Sequence, residues 1–117
     1  MARPAVTLGQ IVTFLHELDR LGPPTREALE ADLVRTRFVL HTLTILGEAV
    51  RRLPAPFLDA HPEVDWRGVI SMRNRVVHGY DRVDFDAVWR VLRDEVGPLR
   101  ARVERLRAAL PPTDQEE

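Results

Sequence analysis

From Thr25 to Leu53 the chain contains no proline, and its apolar residues recur at helical spacing. Leu29, Leu33, Leu40, Leu43, Leu46 and Val50 form one stripe, widened by Phe38 and Ile45. Thr25 can cap such a helix, and Pro54 and Pro56 end it. At ~1.5 Å per residue it spans about 40 Å. A helix of that height hides its apolar face only against other helices of similar length, so the chain is constrained towards a helical bundle. Gly47 inside it costs roughly 1 kcal/mol of helix propensity, which suits a site where a neighbouring helix comes close.

The flanking sequence supplies the partners. Thr7-Leu8-Gly9-Gln10 has the form of a capping box, and Leu8, Ile11, Val12, Leu15 and Leu18 follow at helical spacing. A first helix is expected over 8–21, stopped by Gly22-Pro23-Pro24. A loop rich in proline, aspartate and alanine is expected as far as Pro62. Asp65 can cap a third helix over 66–77, with Gly79 as its left-handed terminus. Asp84 can cap a fourth over 85–96, which Gly97-Pro98 breaks or kinks before a last helix over 98–110. There is no sustained alternation of polar and apolar residues and no Asn-Gly turn, so no strand is expected. The prediction is an all-α antiparallel bundle of four to five helices. It forms one domain over 1–110, followed by an acidic tail, 111–117, expected to be disordered.

Composition narrows the chemistry. The 117 residues include no cysteine, which excludes disulfides, thiolate nucleophiles and cysteine-bound zinc and fits a reducing, cytoplasmic setting. His16, His41 and His61 are scattered, with no pair one helical turn apart, so neither a metal site nor a cofactor is expected. No apolar run approaches the ~18 residues that cross a membrane. The net charge of -1 argues against coating nucleic acid by bulk electrostatics. Yet all 17 basic residues are arginine, whose planar fork matches phosphate. Between Trp66 and Arg82 stand Arg67, Arg73, Arg75 and Arg82 against a single acid, Asp81.

One segment there gathers groups able to do chemistry: Arg73-Asn74-Arg75-Val76-Val77-His78-Gly79-Tyr80. A histidine titrates near neutrality and can move a proton. An arginine can hold a phosphate and the charge that develops on it. Together they suffice for RNA cleavage without a metal, because RNA carries its own nucleophile, the 2'-hydroxyl. Against this stands the plain reading of a histidine that complements a helix dipole beside solvated arginines. On an ideal helix His78 sits about 140° round from Arg73. The two converge only if the helix ends between them or a second subunit contributes.

The spacing Arg73, four residues, His78, one residue, Tyr80 resembles the motif of HepT-like toxins, members of the HEPN superfamily. Leu46-Gly47-Glu48-Ala49-Val50, the segment 65–72 with Trp66, and the segment 83–89 are also similar to signatures of that family, in the same order. The resemblance implies a HEPN-like bundle that forms a homodimer, with two motifs facing each other as a composite metal-independent ribonuclease site. Arg73 and His78 would be catalytic, and Asn74 matches the polar residue that commonly follows the motif arginine. Arg75 lies outside the fixed pattern and is expected only to add positive field as an auxiliary RNA-binding residue. It also implies a minimal nucleotidyltransferase antitoxin as partner, which transfers AMP onto Tyr80. The alternative is a non-catalytic helical subunit that presents RNA or a nucleotide to a nucleotidyltransferase.

Overall fold

The computed structural model describes residues 3–22, 25–78 and 82–111. Helix α1 (Pro4–Leu21) begins with Pro4, whose fixed φ and missing N–H suit the first helical turn. The expected capping box at Thr7 is therefore absent. The helix starts earlier, Thr7 lies buried inside it, and the Thr7 amide bonds the Arg3 carbonyl at 3.1 Å. Gln10, assigned to that box, instead accepts from Arg52 Nη2 at 3.0 Å. Leu8, Ile11, Leu15 and Leu18 face the core as the periodicity requires.

The long second helix is divided. Helix α2 (Arg26–Ala31) is capped by Thr25, whose hydroxyl accepts from the Ala28 amide at 3.0 Å. Asp32 then leaves helical geometry (φ -117°, ψ 94°) and caps α3 (Leu33–Arg51) by accepting from the Arg35 amide at 3.0 Å. A short acidic side chain bonding the backbone ahead of it competes with helix continuation, and here it wins. Thr36 Oγ1 donates to the Leu29 carbonyl at 2.7 Å, satisfying a group that the interruption frees. The break shifts the phase of the stripe. Leu33, expected inside, is 64% exposed, and Val34 is 79% exposed. Val39, Leu43, Leu46 and Val50 are fully buried, each contributing on the order of 2 kcal/mol.

The expected proline-rich loop holds one short helix, α4 (Ala55–Ala60). Helix α5 (Trp66–Val76) starts at the predicted cap, Asp65, which accepts from the Gly68 amide at 3.0 Å. It packs closely on α3. A Cβ at Gly47 would stand 3.3 Å from the Ile70 carbonyl oxygen and 3.5 Å from its Cα, the close approach expected of that glycine. Two short strands follow, β1 (Val77–His78) and β2 (Arg82–Val83), antiparallel with Val77 opposite Val83 and His78 opposite Arg82. No strand was expected, and two residues per strand are too few for a periodic signal.

Asp84 caps α6 (Phe85–Arg90) as predicted, accepting from the Ala87 amide at 3.0 Å. The break expected at Gly97-Pro98 does not occur. A π-helical segment, Val91–Glu95, leads directly into α7 (Val96–Ala109), with the Val96 amide bonded to the Val91 carbonyl. Pro98 has no N–H, and its ring crowds the carbonyl four residues back, that of Asp94. A widened turn just ahead of it absorbs the misfit without ending the helix. Helix α7 packs on α1, so α1, α3, α5 and the α6–α7 helix surround one core in an all-α bundle. The expected Gly79 terminus, the Pro23-Pro24 turn and residues 112–117 lie outside the described residues.

Candidate active site

Helix α5 ends where its sequence turns β-branched. Val76 and Val77 are both buried, and Val77 is extended (φ -123°, ψ 122°) while its amide closes the helix on the Arg73 carbonyl. The Asp84 amide bonds the Val76 carbonyl at 2.8 Å, fixing the point where the chain returns. The candidate segment is thus divided by the fold. Arg73, Asn74 and Arg75 occupy the last turn of α5, and His78 lies on β1. Tyr80 lies outside the described residues. Since the helix ends between Arg73 and His78, the 140° separation computed for a continuous helix does not apply.

The cations of this end differ in their surroundings. Arg73 is half-buried, and among the described residues no acid pairs with it; its Nη1 lies 3.4 Å from Asn74 Oδ1. Both Asn74 and Arg75 are exposed. Arg75 is held by Glu95 of the π segment, Nη2 to Oε1 at 2.8 Å and Nη1 to Oε2 at 3.3 Å. Arg73 and Arg75 both stand in the last turn of α5, where the helix dipole favours cations. Arg82, exposed, is the register partner of His78. Sequence reasoning counted Arg82 in the local charge but did not place it at the site, and it missed Glu95 altogether. Twenty residues separate Arg75 from Glu95, and no spacing rule links residues on separate helices.

Trp66 belongs to the core and donates from Nε1 to the His61 carbonyl at 2.9 Å. Trp89 is half-buried, and Glu48 is exposed. His16 faces Glu104 at 3.4 Å and His61 faces Glu63 at 3.6 Å, but no cluster of three potential metal ligands occurs among the described residues. Beside the site, Arg93 holds Asp94 by hydrogen bonds of 2.9 and 3.0 Å, which keep that carboxyl below its usual range. No helix of the described residues is long and apolar enough to cross a membrane.

The all-α bundle is consistent with a HEPN-like fold. The chain belongs to the ribonuclease HepT-like family, whose model matches residues 11–106. It is similar to "Probable ribonuclease HepT" of Thermococcus cleftensis, with 34% identity covering 71% of this chain and 79% of the relative. It is also similar to "Putative RNase TTE0752" of Caldanaerobacter subterraneus, with 30% identity covering 76% of this chain and 80% of that protein. No solved structure matches.

Proposed function

We propose that this chain is a metal-independent endoribonuclease, the toxin of a toxin–antitoxin pair, with Arg73 and His78 as its catalytic residues. The observation that carries the reading is the end of α5. Arg73 stands there half-buried, with no acidic partner among the described residues, and the backbone leaves the helix before His78. Relatives named as ribonucleases support it.

The chemistry follows from the groups. His78 takes the proton of an RNA 2'-hydroxyl, whose oxygen attacks the adjacent phosphorus. The bond to the 5'-oxygen breaks, that oxygen takes up a proton, and a 2',3'-cyclic phosphate remains. Arg73 pairs with the phosphate oxygens as charge builds on them. Asn74 borders the substrate, while the field of Arg75 is offset by Glu95. In a homodimer two such ends face each other, so that Arg73 of one protomer serves His78 of its partner. AMP transferred onto Tyr80 by a nucleotidyltransferase antitoxin adds a bulky anion beside these cations and blocks RNA.

Mixing two inactive variants tests the shared site. Arg73→Ala and His78→Ala chains, each silent alone, regain RNA cleavage when mixed, because one site of the mixed dimer is intact. Silence at every mixing ratio would overturn the shared site. An intact-mass increase of one or more AMP units at Tyr80, after co-expression with the partner nucleotidyltransferase, tests the regulation.

The pairing of Arg75 with Glu95 favours one other reading, a helical subunit that binds RNA or a nucleotide without cutting it. That subunit would retain oligonucleotides at every concentration without cleaving them.

A further inference from the structure

The end of the bundle remote from His78 carries a second concentration of rings and cations. Phe57 and His61 of the α4 segment, with Arg102 and Arg105 of α7, line an open cavity of about 540 Å³. That volume lies within the range of small-ligand sites. The rings are positioned by the backbone. The Phe57 amide bonds the Pro54 carbonyl at 2.9 Å, the His61 amide bonds the Leu58 carbonyl at 3.2 Å, and Trp66 donates to the His61 carbonyl. The ring centroids of Phe57 and His61 are 4.5 Å apart with a tilt of 47°, and both rings are half-buried. Half-buried rings lining a cavity suit a nucleobase, which stacks on aromatic side chains whatever its identity.

Other arginines of this helix are engaged, Arg107 through the Ala5 carbonyl at 3.1 Å. Arg93 is paired with Asp94, and Arg100 with Asp19. Among the described residues Arg102 and Arg105 have no acidic partner, and both are exposed. Two unmatched guanidinium groups beside two rings form a cradle for a base and its phosphate. Glu63, 3.6 Å from His61 Nδ1, also lines the cavity and stands as an acid against the two arginines. Arg102 also lines the neighbouring groove between α5 and α7, which runs past Gly68 and Met72 to Glu95, the partner of Arg75. Helix α5 spans on the order of 15 Å between the two ends, a stretch of a few nucleotides. Asp65, Asp94 and Glu95 line this intervening groove, so phosphates meet cations at its ends and not along its floor.

We propose that the Phe57–His61–Arg102–Arg105 pocket is a remote nucleotide subsite, which holds one base and phosphate of an RNA strand whose cleaved bond lies at the other end of α5. The subsite rests on the ribonuclease reading, and its occupant is single-stranded RNA.

The test compares the wild-type chain with the double variant Arg102→Gln/Arg105→Gln and with Phe57→Leu, which keeps apolar bulk but removes the ring. Cleavage of an oligoribonucleotide of about eight residues is set against cleavage of a diribonucleotide too short to span α5. The wild type prefers the longer substrate, and each variant loses roughly tenfold of that preference through KM. The salt dependence of binding to a fully 2'-O-methylated oligonucleotide also falls by about 0.7 for each lost phosphate contact. That oligonucleotide lacks the nucleophile, so a chain that binds it through Arg102 and Arg105 but cuts nothing fails the ribonuclease reading and not the subsite. An unchanged length preference and salt slope in the double variant overturn the subsite. So does an effect of that variant that vanishes when residues 112–117 are deleted, because the pocket then belongs to the acidic tail.

Discussion

Arg75 of α5 grips Glu95 of the π segment through two parallel hydrogen bonds, 2.8 and 3.3 Å long, with both side chains partly open to solvent. The pair joins the helix carrying the candidate arginines to the one place where the α6–α7 helix widens. An ion pair this exposed contributes at most about 1 kcal/mol. Glu95→Gln is therefore expected to lower unfolding stability by less than that in urea. By releasing Arg75 towards the substrate, it is also expected to steepen the salt dependence of RNA binding by about 0.7. A slope that does not move would place Arg75 away from RNA.

His78→Ala is expected to reduce RNA cleavage by roughly 10²- to 10⁴-fold, the usual contribution of a general base. Arg73→Ala is expected to cost about 10²-fold or more, by removing stabilisation of the phosphate charge. Arg73 is half-buried and polar, and far-UV circular dichroism is expected to be unchanged in both variants. Full cleavage by the His78 variant would end the catalytic assignment.

Gly47→Leu should destabilise the bundle by about 1–3 kcal/mol, the usual cost of overpacking. A Cβ at Gly47 already stands 3.3 Å from the Ile70 carbonyl oxygen, and a helix backbone cannot swing aside as a side chain can. The shift of the denaturation midpoint measures it.

Gly97→Ala should act in the opposite direction. Apart from its chain neighbours, a Cβ there meets nothing within 4 Å, and the residue lies inside α7, so the gain is set against crowding by the Pro98 ring. Roughly 0.5–1 kcal/mol of added stability is expected from helix propensity and from a less flexible unfolded chain. A loss of stability would show that the turn after the π segment needs glycine.

Asp32→Ala removes the cap of α3 and should cost about 1 kcal/mol, read by thermal or urea unfolding. If the variant lets α2 and α3 fuse, helical content will rise while stability falls with the lost cap.

The sequence by itself determined the all-α class and three of the helix starts. Thr25, Asp65 and Asp84 cap the elements expected of them, because a side chain reaching an amide three residues ahead is a local interaction written in local order. It also determined the family, since four short segments in fixed order carry that resemblance, and it offered the segment from Arg73 to Tyr80 as the candidate for chemistry. Where two local tendencies competed, the sequence was ambiguous. Asp32 could ride within a long helix or cap a new one, and Pro98 could end a helix or be absorbed by a π turn. Only packing decided, by burying Thr36 and Val39 in the first case and continuing the α1–α7 contact in the second. The tertiary structure alone brought Glu95 to Arg75, set Arg82 opposite His78, and gathered Phe57, His61, Arg102 and Arg105 around one cavity. These contacts join residues far apart in the chain, and their geometry exists only once the helices have docked on a common core.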